Sequence, residues 1–324
     1  MRQAKLYRYE IPVETGVILR QRRLKQREGL ILQLSEGDKQ GFGEIAPLPQ
    51  FSIEDLALAE QQVRIWITNW LNNQQDNIEH YVPSVAFGIS CALAELHNTL
   101  SEHGNYQVAP LCYGDPDELY EKLSRMDGKK VAKMKVGLYE ANRDGLIANM
   151  FLEAIPDLQL RLDANQAWTL EKAALFAAKI APEHKMRIQF IEEPCQTAEM
   201  SRRFAQQHHI HIAWDESVRG EGFELKKEAY LKAIVIKPTL TGSIQKCIQL
   251  IKQAHALELD VVISSSIESS LGLTQLARLA RQYTPNSVPG LDTLGLMKVQ
   301  LLRPWQGSTL PLVGLESDHL EELL

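Results

Sequence analysis

Charged residues stand at the ends of successive apolar runs in this sequence. Lys133 and Lys135 close VAKMKV, Asp163 closes LQLRLD, Glu192 and Glu193 follow RIQFI, Asp215 and Glu216 follow HIHIAW, and Lys237 follows KAIVI. The steps from Lys135 through Asp163, Glu192 and Asp215 to Lys237 are each about 22–29 residues, the length of one strand–helix repeat. Repeats of that length set the residues side by side at the C-terminal end of a parallel sheet, where barrel enzymes carry their active sites. Asp163, Glu192 and Asp215 would then form a set of hard oxygen ligands. Mg²⁺ suits such a set, since it takes a few carboxylates and keeps positions for water or a substrate oxygen. Without a cation, three carboxylates in a partly dry pocket repel one another; with one, the cluster becomes a Lewis acid. Lys133 and Lys135 flank it on one side and Lys237 on the other. A partly desolvated lysine beside other cations has a lowered pKa and serves as a general base near neutral pH. Strand alternation points Lys133 and Lys135 to one side and Met134 to the other. The combination describes proton abstraction next to a carboxylate, with the enediolate held electrostatically. Each piece alone has a bland reading, a helix N-cap or a solvated charge pair. The order Lys, Asp, Glu, Asp, Lys at consecutive strand ends does not.

The elements that must position these residues follow from patterning. Residues 1 to about 50 alternate polar and apolar, as in Ala4-Lys5-Leu6-Tyr7-Arg8-Tyr9, and predict antiparallel strands with turns at Glu36-Gly37-Asp38 and Gly41-Phe42-Gly43. Two helices are predicted next. One has Ser52 as N-cap, Asp55 three residues on, and runs to about Leu71; the other is capped by Ser84 after Pro83, and its small apolar residues imply deep burial. From about Tyr106, short β-branched runs alternate with helical segments, the rhythm of parallel strands buried on both faces. A first strand near 109–112 and a last near 288–292 bring the count to eight, the number that closes a barrel. The expected fold is α/β: a TIM-like (β/α)7β barrel over 101–303, an α+β capping domain over 1–100, and a C-terminal tail over 304–324 that packs on the cap and completes it.

The 324 residues are 44% hydrophobic with a net charge of −6, which suits a large α/β unit plus a smaller domain and leaves no basic footprint for nucleic acid or an anionic membrane. The N-terminus, MRQAKLYRYEIPVE, lacks the apolar core of a secretory signal, and no run reaches the ~20 apolar residues of a membrane span. Cys91, Cys112, Cys195 and Cys247 are scattered without a CxxC pairing and read as reduced, mostly buried thiols. A cytoplasmic protein is expected.

The motifs KMK, LDAN, IEEP, WDES and IKP, and the longer strings GEIAPLPQF, PSVAFGISCALAEL, KVGLYEA, RLDANQAW, VIKPTLTGS, SSSIESSLGLTQLARLA and PGLDT, run over nearly the whole chain. In them the sequence resembles the o-succinylbenzoate synthase family, in the muconate-lactonizing-type branch of the enolase superfamily. The resemblance implies a lyase of menaquinone biosynthesis that dehydrates 2-succinyl-6-hydroxy-2,4-cyclohexadiene-1-carboxylate to o-succinylbenzoate. It implies Lys135 as the base that takes the α-proton and then protonates the departing hydroxyl, Lys237 as a cation over the ring, and Lys133 as the residue that lowers the pKa of the base. It assigns Asp163, Glu192 and Asp215 to Mg²⁺, with Mn²⁺ as a substitute, and Glu193 and Asn165 to their immediate surroundings. Ser264 or Ser265, with Gly290, would meet the succinyl tail, and Arg161 would reach the substrate through water. The implied partner is a small dicarboxylate, and the implied state a monomer. Two alternatives stay open: an N-acylamino acid racemase or dipeptide epimerase, which uses the same two lysines, and a non-catalytic metal-binding scaffold.

One departure from the family pattern stands out: PLPQFS carries Gln50 where the motif has glycine, so a loop that needs a positive φ there would have to differ. The basic run Arg20, Arg22, Arg23, Lys25 and Arg27 reads either as a solvated hairpin edge or as a loop that folds over the site and attracts a dicarboxylate. His208, His209 and His211 precede or begin the fifth strand and read as surface and strand residues, and Cys195 as a packed thiol without a base partner.

Overall fold

The computed structural model describes residues 1–324 apart from 15–17, 20–21 and 113–115, and no side chain between 15 and 22; Arg20 lies outside the described residues. In chain order the elements are β1 (Arg2–Pro12), β2 (Ile18–Leu19), β3 (Arg22–Arg23), β4 (Gln26–Glu36), β5 (Lys39–Ile45), α1 (Leu56–Leu71), α2 (Pro83–Leu96), β6 (Leu111–Cys112), α3 (Pro116–Ser124), β7 (Val131–Lys135), α4 (Ala141–Ala154), β8 (Gln159–Asp163), α5 (Leu170–Ala177), β9 (Ile188–Glu192), α6 (Ala198–His208), β10 (Ile212–Trp214), β11 (Leu231–Ile236), α7 (Pro238–Thr241), α8 (Ile244–Ala256), β12 (Asp260–Ile263), α9 (Ser270–Tyr283), β13 (Gln300–Leu301), β14 (Leu312–Val313) and β15 (Leu320–Glu322). They pack as two compact units. One holds residues 1–106, 237–251 and 263–324, the other 107–236 and 252–262. The class is α/β, a TIM-like parallel sheet together with an N-terminal α+β part.

In the first unit a four-stranded sheet runs in the order β15-β1-β4-β5. Strand β1 pairs antiparallel with β4 from Arg2 opposite Glu36 to Pro12 opposite Gln26, and β15 adds to its other edge with Tyr7 opposite Glu322. Alternation sends Leu6, Leu30, Leu32, Leu34 and Ile45 to one face. There they meet Val63, Trp66, Ile67 and Trp70 of α1 and Val85, Ile89, Ala92 and Leu96 of α2. Each buried Leu, Ile or Val among them contributes about 1.5–3 kcal/mol relative to exposure.

Three local expectations are corrected here. Gly41-Phe42-Gly43 is not a turn but part of β5. A Cβ would lie 2.0 Å from the Ala92 carbonyl oxygen at Gly41 and 1.9 Å from that of Gly88 at Gly43, so the glycines exist to let α2 lie on the strand's backbone. Helix α1 starts at Leu56 with Asp55 as N-cap, its Oδ1 accepting from the Leu58 N–H at 2.8 Å. Ser52 instead closes the preceding loop, its Oγ accepting from the Leu48 N–H at 2.8 Å. Helix α2 starts on Pro83 with Val82 at the N-cap, and the Ser84 N–H is capped from a distance by Glu54 Oε1 at 2.9 Å. Gln50 itself adopts φ 70. It follows Pro49 in a turn in which the Phe51 N–H donates to the Leu48 carbonyl at 3.0 Å, so the positive φ that suits glycine is adopted here by the glutamine, which carries the strain.

In the second unit the strands form a seven-stranded parallel sheet, β12-β11-β10-β9-β8-β7-β6. Its inner cluster is Phe190, Ala213, Ala233, Val235 and Val262. The eighth strand expected at 288–292 reduces to an isolated parallel bridge, Ser264 with Gly290, among the described residues. Pro289 brings no N–H to a ladder there and Gly290 no side chain to pack. The four cysteines are free and buried. Among the described residues no helix is long and apolar enough to cross a membrane.

Candidate active site

Parallel register places the strand-end residues next to one another: Lys135 is opposite Asp163, and Asp163 is opposite Glu192. The Lys133 ammonium lies 3.0 Å from Asp163 Oδ2 and donates to Glu192 Oε2 at 2.7 Å, so one lysine ties two buried carboxylates together. Lys135 Nζ is 3.9 Å from Asp163 Oδ2. Burial pushes the Lys133 pKa down, but the charges of Asp163 and Glu192 outweigh it and hold the group well above the ordinary lysine value. For Lys133 the direction is therefore opposite to the lowering expected of a lysine at this site. Lys135, with 36% of its side chain exposed against 16% for Lys133, is the lysine more open to a substrate.

Asp215 follows β10 and is 1% exposed, with Arg219 Nη2 3.6 Å from its Oδ1. Glu193, at φ 39, gathers three strand ends. Its Oε1 accepts from the N–H groups of Asp215 at 3.1 Å and Ser217 at 2.9 Å, and its Oε2 from Ser217 Oγ at 3.1 Å and Gln166 Nε2 at 3.3 Å. Burial raises its pKa, partly offset by the donors from Ser217 and Asp215. The Asn165 N–H donates to Asp163 Oδ1 at 3.2 Å and its Nδ2 to Glu216 Oε1 at 3.1 Å. Asn165 thus touches the Asp163 carboxylate, and Glu193 touches the main chain at Asp215 rather than its carboxylate. Sequence reasoning missed Ser217, Gln166 and Arg219; the only local signal was Arg219 standing four residues after Asp215.

Arg161 lies in register with Lys133, two residues back from the strand end, and is 5% exposed. Its Nε donates to Gln189 Oε1 at 2.7 Å, and its guanidinium carbon is 5.4 Å from the Phe190 ring centroid. Burial lowers its pKa to about 10, against the opposing charges of Glu192 and Asp260.

The remaining predicted residues belong to the first unit. Lys237 directly follows β11 and caps α7, its carbonyl accepting from the N–H groups of Leu240 and Thr241 at 2.9 Å. Ser264 Oγ donates to the Gly290 carbonyl at 3.2 Å, and Ser265 Oγ lies 2.8 Å from Thr293 Oγ1. A Cβ at Gly290 would meet Ser264 Oγ at 2.9 Å, so a side chain there would crowd the serine. Of the basic run, Arg23 and Lys25 are exposed while Arg27 is buried, so neither expectation covers all of it. His209 ends α6 in a left-handed conformation, its Nδ1 hydrogen-bonded to the Tyr230 hydroxyl. Cys195 is fully buried, which pushes its thiol up to about 11.

The donor chemistry of Asp163, Glu192 and Asp215 fits a hard divalent cation: three buried carboxylates follow one another along adjacent strands. Among the described residues no three His, Cys, Asp or Glu side chains already form a metal-holding group, and the Lys133 ammonium holds two of these carboxylates.

Comparison with known proteins adds to this geometry. Residues 1–96 match the family model described as MenC, N-terminal domain, and residues 117–300 the model described as enolase C-terminal domain-like. The chain is 61% identical to the o-succinylbenzoate synthase of Pasteurella multocida (strain Pm70), over 99% of this chain and 97% of that protein. Two solved structures share the fold. The o-succinylbenzoate synthase of Thermosynechococcus elongatus BP-1, complexed with Mg in its active site, superposes with TM-score 0.71 at 23% identity over 89% of this chain and 92% of that one. A substrate-liganded L-Ala-D/L-Glu epimerase from Bacillus subtilis superposes with TM-score 0.76 at 19% identity over 92% and 91%.

Proposed function

Because the chain belongs to the o-succinylbenzoate synthase family of the enolase superfamily, we propose that its strand-end lysines and carboxylates dehydrate 2-succinyl-6-hydroxy-2,4-cyclohexadiene-1-carboxylate to o-succinylbenzoate, a step of menaquinone biosynthesis. The observation that carries this reading is the row Lys135, Asp163, Glu192 on adjacent strands, with the Lys133 ammonium bonded to both carboxylates. Asp163, Glu192 and Asp215 would hold Mg²⁺, which when bound supplies positive charge for the substrate carboxylate and acidifies its α-proton.

Lys135 takes the α-proton, and the electron pair of that C–H bond passes to the adjacent carboxylate, from which it returns to the ring as the hydroxyl leaves. Expulsion of the hydroxyl completes aromatisation; the proton carried by Lys135 goes to the departing oxygen, which leaves as water. Lys133 stays protonated between Asp163 and Glu192, so its neighbour Lys135 faces a second cation that favours its neutral, basic form. Lys237 supplies positive charge to the anion formed after proton loss. Glu193 and Asn165 hold the strand ends, while Ser264 or Ser265 with Gly290 meets the succinyl tail and Arg161 reaches the substrate through water. On the same reading the enzyme is a cytoplasmic monomer that accepts Mn²⁺ in place of Mg²⁺ and binds neither nucleic acid nor membrane.

The test is incubation of purified protein with Mg²⁺ and the cyclohexadiene substrate, following loss of diene absorbance, with Lys135→Ala alongside. Conversion that needs metal and falls by at least about 10²–10⁴-fold in the variant supports the assignment. No conversion, with α-proton exchange on N-succinyl amino acids instead, would keep the site chemistry and make the protein a racemase.

A further inference from the structure

The Arg27 side chain is 1% exposed. Four hydrogen bonds from its guanidinium end on main-chain carbonyls: Nε on Ile267 at 2.8 Å, Nη1 on Glu28 at 2.9 Å and Pro47 at 2.8 Å, and Nη2 on Ala46 at 2.5 Å. Burying a guanidinium is costly, and an apolar residue of similar size fills a core at least as well. What an apolar residue cannot do is join three separate segments through their carbonyls. The segments joined here are β4, the start of the 46–52 loop and the turn after β12. The first loop contains Gln50 at φ 70 and borders a cleft of about 730 Å³ that Arg23 and Glu54 also line. The turn contains Ile267 at φ 61, a conformation β-branched residues rarely adopt, directly after Ser264, Ser265 and Ser266. The turn is also held on either side of Ile267: before it the Ser265 N–H donates to the Gly290 carbonyl at 3.0 Å and the Ser266 N–H to Glu268 Oε2 at 2.6 Å, and after it Glu44 accepts from the Ser269 and Gly272 N–H groups at 2.9 and 2.7 Å, which fixes the start of α9, so the Arg27 bond is the one made by the Ile267 carbonyl itself.

We infer that Arg27 is a positioning residue for substrate binding, which sets Ser264 and Ser265 by gripping the Ile267 carbonyl while anchoring the 46–52 loop to the same side chain. This rests on the proposed synthase reading, in which those serines meet the succinyl tail. Arg27 touches no reacting atom, so its loss should appear in binding of the tail and not in proton transfer.

The experiment measures KM and kcat for diene loss in wild type, Arg27→Lys, Arg27→Met, Ser265→Ala and the Arg27→Lys/Ser265→Ala double variant, each checked by thermal melting. A single ammonium cannot span Ile267 and Ala46–Pro47 together. Arg27→Lys should raise KM about tenfold with kcat within about threefold of wild type, and Arg27→Met should raise KM further. In the double variant the two KM effects should fall short of multiplying, because both act through one segment. An unchanged KM in Arg27→Lys, a fall in kcat at constant KM, or fully multiplicative effects would each overturn the inference. Should Arg27→Met fail to fold, Arg27→Lys and the double variant still decide. An inactive wild type sinks the synthase reading and this inference with it, whereas an active wild type with unmoved KM in Arg27→Lys sinks this inference alone.

Discussion

Glu193 offers the sharpest test of how the candidate site is held. Glu193→Ala leaves the main-chain N–H groups of Asp215 and Ser217 without the oxygen that now accepts both, at 3.1 and 2.9 Å. A buried donor left unpaired costs about 1–3 kcal/mol, so the pair puts about 2–6 kcal/mol at stake. Part of that is recovered if the 215–217 turn shifts toward other acceptors, and such a shift moves the Asp215 carboxylate. Glu193→Gln is milder. Its one amide oxygen can keep facing the two N–H donors, while the NH₂ faces the Ser217 hydroxyl, which can rotate to accept, and the Gln166 amide, which can flip. The loss is then the difference between charged and neutral acceptors, about 0.5–1 kcal/mol per bond and about 1–2 kcal/mol in all. At about 1.4 kcal/mol per tenfold, Glu193→Gln should lower kcat/KM about 5–30-fold and Glu193→Ala by about 30-fold or more. The assay is diene loss across a Mg²⁺ titration, with a thermal melt of each variant to show that the fold persists. Both variants keeping kcat/KM within about threefold of wild type would refute the claim that Glu193 positions Asp215.

Two further predictions concern the first unit. Gln50 pays a steric cost at φ 70 that glycine does not, so Gln50→Gly should leave stability unchanged or raise it by up to about 1 kcal/mol, read by urea unfolding; a loss beyond about 1 kcal/mol would show that the turn depends on the glutamine side chain. Burial, with the Glu44 charge adding to it, raises the Glu268 carboxyl above 4.5 despite the Thr239 hydroxyl bond that opposes the shift. The folded chain therefore keeps a proton there after the unfolded chain has lost it, and this contribution to stability falls as pH rises from about 4.5 through the raised folded value. Glu268→Gln should flatten stability against pH above about 4.5, and parallel curves for variant and wild type would contradict it.

What the sequence determined by itself was whatever depends on short-range pattern. Period-two alternation over Arg2–Pro12 and Gln26–Glu36 marks half-buried strands, and the recurrence of apolar runs ending in Lys135, Asp163, Glu192, Asp215 and Lys237 marks one parallel sheet with these charged residues at its strand ends. A repeat length and a strand direction suffice for that, because register in a parallel sheet aligns equivalent strand ends. Tertiary structure alone decided the features made by residues far apart in the chain. Glu54 caps α2 from 30 residues away, and Gly41 and Gly43 are strand residues because a helix lies against them. Lys133 is held charged by two carboxylates on other strands, so its environment, and not its residue type, sets the direction of its pKa. Arg27 looked like one more member of a basic surface run, yet it is buried on carbonyls up to 240 positions along the chain. Local propensity carries no information about such partners. They exist only once the strands have paired, and the low dielectric of the interior then makes each of them consequential.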